Sequence, residues 1–349
     1  MRISAAASAF PSHTYDQQTI TSALQSVWHE KIPRPEVLER LHRNCGVDRR
    51  HLVLPIEHYL ALDTWGKANN VWIDEAQELG STAICRAITP LGLTPRDIDA
   101  LFFVTVTGVA SPSIDARLIN RMGLSQRIKR NPIFGLGCVA GVAGTSRAAD
   151  YVRAFPDHVA VLLSVEICSL TWQRDDFSVA NLISTGLFGD GAAAVVIAGD
   201  DTGLEGPRII DTRSTFYPHT EDVMGWDVSE RGFRIVLSPE VPNVIEKNLR
   251  RDVDGFLADH QLTRSDISSW IIHTGGPKVL DAVANALELH DGQLDASWAC
   301  LRRVGNLSSA SVLVVLEDYL ANRRGEPGTY SLMAAMGPGF CSELVLLRW

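Results

Sequence analysis

Long hydrophobic runs are missing from this chain of 349 residues. Its longest stretches without a charged side chain are residues 131–146 and 327–342, and both are interrupted by Gly and Pro. A membrane-spanning helix needs about 20 consecutive apolar residues, so the sequence predicts no span. The N-terminal apolar run stops at Pro11, which is too early for a typical secretory signal. We therefore expect a cytoplasmic protein that does not contact a membrane.

An excess of positive charge is also absent. Lys and Arg number 32 against 41 Asp and Glu, which gives a formal net charge of −9. Nucleic-acid-binding proteins use clustered Lys and Arg to neutralise phosphates, so this balance argues against a nucleic-acid partner. Apolar residues make up 46% of the chain and no low-complexity segment occurs, which is typical of a folded globular protein.

Paired cysteines are lacking as well. None of the six stands in a CxxC pair, so we predict neither a disulfide framework nor a zinc site. In a reducing compartment each is expected as a free thiol, and most of them as small buried apolar residues. The six are Cys45, Cys85, Cys138, Cys168, Cys300 and Cys341.

Short apolar runs rich in β-branched residues alternate with helical patterns along the chain. The run that follows Asp99 (ALFFVTVTG) is typical of a strand buried on both faces. Helical spacing predicts a helix over residues 70–92, and residues 15–50 have the polar pattern of surface helices. This alternation predicts an α/β fold. Similar strand patterns lie at residues 158–166, 192–199, 268–276 and 342–349.

The chain contains an internal repeat. Leu93-Thr-x-x-Asp-Ile98 precedes one predicted strand, and Leu262-Thr-x-x-Asp-Ile267 precedes another, 169 residues later. Cys138 and Asn306 each begin a predicted helix after a glycine, and they lie 168 residues apart. We therefore expect two duplicated halves, 1–205 and 206–349, related by a pseudo-twofold axis. Cys138 and Asn306 would then occupy equivalent places in the two halves.

Cys138 lies where a short apolar run ends in Gly135 and Gly137 and a helix of small residues begins. The unpaired N–H groups and the dipole of a first helical turn favour the thiolate, which is the nucleophilic form of cysteine. A buried core cysteine is the alternative interpretation, and this pattern alone leaves it open.

Two further polar residues stand at comparable junctions. His273 ends a predicted strand before a Gly-rich turn, where open α/β sheets form a ligand crevice, although a hydrogen-bonded core histidine is the alternative. Asn306 opens a helix, and for it the alternative is an ordinary N-cap. With Cys138 these residues form a coherent chemical set: a nucleophile, an imidazole partner and an amide that donates a hydrogen bond.

Six segments that carry these residues and others occur in a recognisable order over nearly the whole chain. They are Gly137–Gly141, Ser164–Ser169, Leu187–Ala194, His273–Lys278, Gly305–Ser309 and Gly337–Phe340. Together they are highly specific, and in them the chain resembles the type III polyketide synthases, the chalcone-synthase-like branch of the thiolase superfamily. Among these enzymes the bacterial members that make alkylresorcinols or alkylpyrones are expected to be most similar.

The resemblance implies a thiolase-like αβαβα fold, usually a homodimer, and an acyltransferase that uses coenzyme A thioesters without a metal or other cofactor. It implies that Cys138 takes an acyl starter as a thioester and forms an ion pair with His273. His273 and Asn306 would hold the carbonyl of malonyl-CoA, or a substituted malonyl-CoA, while carbon dioxide leaves. The resulting enolate would attack the acyl group on Cys138, and the extended chain would cyclise to a resorcinol or a pyrone.

The resemblance also assigns residues around the reacting groups. Phe188 matches a gatekeeper between the CoA tunnel and the cavity, and Ile235 replaces a second gatekeeper phenylalanine of the plant enzymes. Trp226 stands where plant enzymes carry a small residue, so the cavity should have a different shape. We expect a fatty acyl starter. Further cavity residues are Val106, Cys168, Thr171, Ser184 and Ser308, while Arg49, Arg50 and Lys278 are expected at the CoA phosphates.

Three other functions remain as alternatives. Cys, His and Asn occur in this order in papain-like hydrolases too, although the local cysteine motif of those enzymes is missing. An enzyme similar to ketoacyl synthase III would condense only once and would use an acyl carrier protein, but Phe188 and Gly337–Phe340 favour the polyketide branch. A catalytically inactive acyl-CoA binder would not need Cys138, His273 and Asn306 together. The sequence does not determine the starter, the number of extensions or the mode of cyclisation.

Overall fold

The computed structural model describes residues 1–28, 31 and 35–349. In this part of the chain the helices are α1 Gln17–Trp28, α2 Pro35–Arg43, α3 Trp65–Ile88, α4 Ile114–Met122, α5 Ala140–Ala154, α6 Val179–Leu187, α7 Val241–Ala258, α8 Pro277–Leu287, α9 Asp295–Val304 and α10 Ser311–Asn322. The strands are β1 Arg2–Ala9, β2 His13–Asp16, β3 Arg49–Leu52, β4 Ala100–Thr105, β5 Lys129–Phe134, β6 Val159–Ile167, β7 Asp190–Ala198, β8 Arg208–Phe216, β9 Met224–Ser229, β10 Gly232–Leu237, β11 Ile267–Ile272, β12 Tyr330–Gly337 and β13 Cys341–Arg348.

Nine strands form one hydrogen-bonded ladder in the order β11-β12-β13-β8-β1-β7-β6-β4-β5. A single residue pair, Arg2 with Arg208, joins its two halves between β1 and β8. In the first half β4 is parallel to β6, and β6 and β7 are antiparallel. In the second half β11 is parallel to β12, and β12 and β13 are antiparallel. The repeated pairing pattern confirms that the fold consists of duplicated halves.

The repeated Leu-Thr-x-x-Asp-Ile motif forms the same local structure in both halves. Each copy closes a short 3-10 turn with a capping box just before a strand, β4 in the first half and β11 in the second. The carboxylate of Asp97 accepts hydrogen bonds from the backbone N–H and hydroxyl of Thr94, both at 2.7 Å. Asp266 accepts the equivalent bonds from Thr263 at 2.7 and 2.8 Å. Reciprocal capping explains why these residues recur at this spacing.

The helices α5 and α10 lie between the two half-sheets, and their small residues allow close packing. A Cβ on Gly141 would lie against the carbonyl oxygen of Ser309 and 2.7 Å from Cγ1 of Val312, so only glycine fits there. Helix α3 covers the outer face of the first half-sheet, while α7 and α8 cover that of the second. These five layers confirm the αβαβα fold.

No helix in the described residues is long and apolar enough to cross a membrane.

Of the two helix predictions from the sequence, one is confirmed and one is wrong in part. The helix expected over residues 70–92 is α3 followed by a 3-10 turn, Thr89–Leu91, so its position is confirmed. Within residues 15–50 the structure has α1 and α2, but β2 and β3 at the ends pair antiparallel, so helix was wrong there. Each of these strands is only four residues long and is stabilised by a distant partner, which local periodicity does not reveal. Residues 29–30 and 32–34 of that prediction lie outside the described residues.

Candidate active site

Cys138, His273 and Asn306 lie at three element junctions that meet at one cavity of about 70 Å³. Cys138 sits in the 3-10 turn Gly137–Val139 between β5 and α5, His273 directly follows β11, and Asn306 connects α9 to α10. Their exposed fractions are 7%, 4% and 2%. The structure therefore brings together the three residues that the sequence singled out, one from the first half of the chain and two from the second.

The turn that carries Cys138 depends on its glycine. Gly137 has φ of +57°, a backbone conformation that favours glycine. A Cβ at this position would lie 2.6 Å from the ring of Pro338, which belongs to the loop between β12 and β13. The second half of the chain thus packs directly on the turn that holds the thiol.

The side chain of Asn306 is held in one orientation. Its Oδ1 accepts a hydrogen bond from the backbone N–H of Ser308 at 2.8 Å and one from the hydroxyl of Ser311 at 3.4 Å. Because a backbone N–H can only donate, the oxygen end of the amide must face Ser308. The Nδ2 donor therefore points away from this anchor and is available at the cavity that Asn306 lines.

The hydroxyl of Ser308 is the side-chain contact of the thiol, with Oγ 3.8 Å from Sγ of Cys138. Ser308 has φ of +48°, an unusual conformation for a residue with a side chain. The same residue therefore contacts the sulfur through its hydroxyl and anchors Asn306 through its backbone. Strained backbone of this kind is common where the surrounding structure fixes a functional geometry.

Burial controls the protonation states of the thiol and the imidazole. It raises the pKa of Cys138 to about 12, although the hydroxyl of Ser308 acts in the opposite direction. Burial lowers the pKa of His273 to about 4, and both of its ring nitrogens lack a hydrogen-bond partner in the described chain. In each group burial opposes the charged form, and at Cys138 it acts against the helix-terminus effect that the sequence suggested. The ion pair of Cys138 with His273 that the resemblance implies stays a prediction.

Most of the predicted cavity residues surround this site. Val106, Cys168, Phe188, Trp226, Ile235 and Ser308 line the same cavity as Cys138. A second cavity of about 270 Å³ lies beyond it and shares Cys168, Phe188, Trp226 and Ile235 as its wall. Thr171 and Ser184 line the second cavity, so they are separated from the thiol by that wall.

The three residues expected at the CoA phosphates are not equivalent. Arg49 and Lys278 are exposed, which is compatible with phosphate contact. Arg50 is only 2% exposed, and its guanidinium donates to the carbonyl oxygens of Thr185 and Phe188 and to Gln17. The prediction that Arg50 meets the phosphates was therefore wrong, because the fold turns this side chain inward.

Sequence reasoning missed several residues of the two cavities. Val241, Ile245 and Leu249 of α7 line the Cys138 cavity, and their spacing of four residues was a readable signal of one helix face. Ile20 and Leu24 of α1 line the second cavity, which no local pattern indicated.

Among the described residues, no group of three or more His, Cys, Asp or Glu side chains is arranged to hold a metal ion.

Comparison with known proteins identifies the family of the chain. Models of the N-terminal and C-terminal domains of chalcone and stilbene synthases match residues 2–201 and 208–349. The chain belongs to this family. It is 50% identical to a 1,3,6,8-tetrahydroxynaphthalene synthase of Streptomyces peucetius subsp. caesius, over 99% of this chain and 93% of the relative. It is 33% identical to the phloroglucinol synthase of Pseudomonas fluorescens, over 97% of each.

Solved structures agree with this assignment. The crystal structure of 1,3,6,8-tetrahydroxynaphthalene synthase from Streptomyces coelicolor A3(2), a bacterial type III polyketide synthase, superposes with a TM-score of 0.95 at 34% identity. The superposition covers 100% of this chain and 99% of the chain in the crystal structure. The protein is therefore a type III polyketide synthase, an acyltransferase that condenses malonyl-CoA with coenzyme A thioesters. The expected similarity to alkylresorcinol and alkylpyrone synthases stays a prediction.

Proposed function

We propose that Cys138 carries the growing acyl chain and that His273 and Asn306 bind the malonyl thioester carbonyl during decarboxylation. The observation that supports this most strongly is the orientation of Asn306, whose anchored Oδ1 leaves Nδ2 free at the cavity of the thiol. A neutral imidazole and a carboxamide are both N–H donors. Decarboxylation places negative charge on the thioester oxygen, and fixed donors aimed at that oxygen lower the barrier.

For the loading step we propose that the thiol and the imidazole both start in the neutral forms that burial favours. As Sγ of Cys138 attacks the starter thioester, its proton passes to the imidazole of His273. The leaving sulfur of coenzyme A then takes this proton, so the imidazole is neutral again before malonyl-CoA binds. In this scheme coenzyme A thioesters are the substrates and no other cofactor takes part.

Release of carbon dioxide tests these roles. We expect Cys138→Ala to retain decarboxylation of malonyl-CoA while it forms no condensation product. We expect Asn306→Ala to lose about 100-fold or more in decarboxylation, comparable to the loss of an oxyanion-hole donor. A cysteine hydrolase would release no carbon dioxide at all, and a fast Asn306→Ala enzyme would contradict the proposed role of the amide.

For the product, we propose a polyhydroxylated aromatic compound built from malonyl units. The support is the 50% identity to a relative named for 1,3,6,8-tetrahydroxynaphthalene. Oxygens on alternate carbons are the pattern that repeated two-carbon extension leaves behind. The test is mass spectrometry of the products from malonyl-CoA alone, where a cyclised phenol is expected without any added starter. A linear β-ketoacyl thioester would instead favour a single condensation, as in ketoacyl synthase III.

A fatty acyl starter is the second candidate, and one observation favours it. The second cavity is lined by apolar side chains, among them Ile20, Leu24 and Ile56, and adjoins the Cys138 cavity. An alkyl chain attached to Cys138 would gain free energy by burial there. A panel of acyl-CoA starters of rising length decides the matter: resorcinols or pyrones with long alkyl chains would support this candidate, and preference for short or aromatic starters would contradict it.

A further inference from the structure

Arg50 is a buried cation that the proposed chemistry does not use. Its side chain is 2% exposed, and none of its hydrogen-bond partners in the described chain is a carboxylate. Burial of a guanidinium costs free energy unless hydrogen bonds or charges compensate it. Burial lowers the pKa of Arg50 to about 10, and the charge of the buried Asp190 acts in the opposite direction. The hydrogen bonds of Arg50 add to this compensation, so the question is which part of the structure they fix.

The guanidinium holds the turn that carries Phe188, residues 185–189, which we call the Phe188 turn. Nη1 of Arg50 donates to the carbonyl oxygens of Thr185 at 2.7 Å and of Phe188 at 2.9 Å. Nη2 donates to Oε1 of Gln17 at 2.8 Å. The Nε2 of Gln17 in turn donates to the carbonyl oxygen of Gly186 at 2.8 Å. Arg50 and Gln17 together thus bind three carbonyl groups of this turn.

The Phe188 turn is itself hydrogen-bonded to the backbone of Asn306. The N–H of Asn306 donates to the carbonyl oxygen of Leu187 at 2.9 Å, and the N–H of Gly189 donates to the carbonyl oxygen of Asn306 at 3.0 Å. Phe188 and Asn306 form a parallel β-bridge. Any displacement of the Phe188 turn would therefore move the backbone that carries the Asn306 amide.

The stem of Arg50 is packed against both sides of this bridge. A Cβ on Gly305 would lie 3.1 Å from Cδ of Arg50, and one on Gly189 would lie 3.5 Å from its Cγ. The side chain thus contacts the residue before Asn306 and the residue after Phe188. Only a planar guanidinium offers several donors in a fixed fork to separate acceptors, whereas the ammonium of lysine is a compact point charge.

We propose that Arg50, assisted by Gln17, is a positioning residue that fixes the Phe188 turn and through it the Asn306 amide at the cavity of Cys138. The proposal rests on the role proposed above for Asn306 in decarboxylation. Arg50 and the Phe188 turn belong to the first half of the chain, and Asn306 belongs to the second. The hydrogen bonds between the Phe188 turn and Asn306 therefore also align the two halves.

The substitution Arg50→Lys tests this role by separating two steps. The kcat for release of carbon dioxide from malonyl-CoA should fall about 100-fold, because small misplacement of a positioned group has effects of that size. The KM for malonyl-CoA should stay within about threefold, since Arg50 does not meet the phosphates. The rate of alkylation of Cys138 by iodoacetamide should be unchanged, because it does not need Asn306. Rates are expressed per folded enzyme, quantified by circular dichroism.

Two further variants serve as a control for the arginine-to-lysine change and as an independent disturbance of the Phe188 turn. Arg264→Lys is the matched control, because this arginine is 20% exposed, donates to the carbonyl oxygen of Leu287, and lines neither cavity. It should lose stability but keep its kcat. Gln17→Leu removes one partner of Arg50 at a half-buried position and should reproduce part of the kcat loss, even if Arg50→Lys fails to fold.

The outcomes distinguish this inference from the proposed function. If Asn306→Ala abolishes decarboxylation while Arg50→Lys and Gln17→Leu keep full kcat, Arg50 has no positioning role. A raised KM with unchanged kcat would overturn the inference in favour of a CoA contact. If Asn306→Ala itself keeps full decarboxylation, the proposed role of Asn306 fails, and the inference about Arg50 fails with it.

Discussion

At the scale of single residues, the thiol of Cys138 and the imidazole of His273 both line one buried cavity. Burial shifts their pKa values in opposite directions, to about 12 and about 4. On the proposed mechanism the nucleophile is generated only as the substrate is attacked, and the imidazole is then a donor for the enolate. This makes the protonation state of Cys138 the most informative property to measure.

The pH dependence of Cys138 alkylation is the first prediction. Far below a thiol's pKa the thiolate fraction grows tenfold with each pH unit, so the alkylation rate should rise tenfold per unit from about pH 6 to pH 9. Mass spectrometry of the Cys138 peptide measures this rate, with the exposed Cys85 as an internal control. A plateau near neutral pH that disappears in His273→Ala would instead demonstrate a preformed ion pair.

The backbone of Ser308 gives the second prediction. With φ of +48°, alanine at this position is strained and glycine is not. Both substitutions remove the hydroxyl near Cys138 and keep the backbone N–H that anchors Asn306. We therefore expect Ser308→Gly to be about 1 kcal/mol more stable than Ser308→Ala in urea unfolding. Equal stabilities would show that the left-handed conformation carries no strain.

At the scale of elements, the packing of α5 on α10 brings together the turns that precede these helices and carry Cys138 and Ser308. Gly141 lies one turn after Cys138, and its Cα faces the carbonyl of Ser309 and the side chain of Val312. The small residues of α5 thus serve a structural purpose, which is to let two buried helices approach closely between the half-sheets.

Two glycine substitutions test this packing. Gly141→Ala should lower the free energy of unfolding by about 2 kcal/mol, because the added methyl group overlaps fixed backbone. Gly255→Ala in α7 is the matched control, since a Cβ there meets no atom within 4 Å. The control should be neutral or more stable by up to about 1 kcal/mol, as expected for alanine in a helix. Similar effects of both substitutions in urea unfolding would contradict the packing argument.

The elements also show what the sequence could and could not predict. Continuous apolar runs and the repeated capping motif predicted the buried strands and the duplicated halves, because both signals are local. The pairing of β2 with β3 was missed, since each strand depends on a partner distant in sequence. Arg50 was expected at the CoA phosphates together with Arg49, whereas its burial depends on the distant partners Gln17, Thr185 and Phe188.

At the scale of the whole molecule, the division at residue 205 stays a prediction, since strands from both halves share one ladder.

The homodimer stays a proposal. Strand β5 is an end strand of that ladder, and Phe134 at its end is 51% exposed. Unpaired edges and exposed aromatic side chains are suited to contact with a second copy. We therefore propose that the edge formed by β5 lies in the dimer interface.

Light scattering after size-exclusion chromatography tests this proposal. The chain of 38.2 kDa should elute with about twice that mass at micromolar concentration, as a homodimer. Phe134→Asp should shift it to the monomer mass, because a charge would be buried in the interface. Val228→Asp is the control, since Val228 in the hairpin of β9 and β10 is 61% exposed. A dimer that persists in Phe134→Asp would place the interface elsewhere.

The parallel bridge between Phe188 and Asn306 has a consequence for biosynthesis of the protein. The ribosome completes the segment with Cys138 well before it translates His273 and Asn306, and the cavity wall includes residues as late as Phe340. A polypeptide that ends before Asn306 lacks this bridge and carries the thiol without its proposed partners, so we expect it to leave cellular thioesters unchanged. We expect activity only when translation is almost finished.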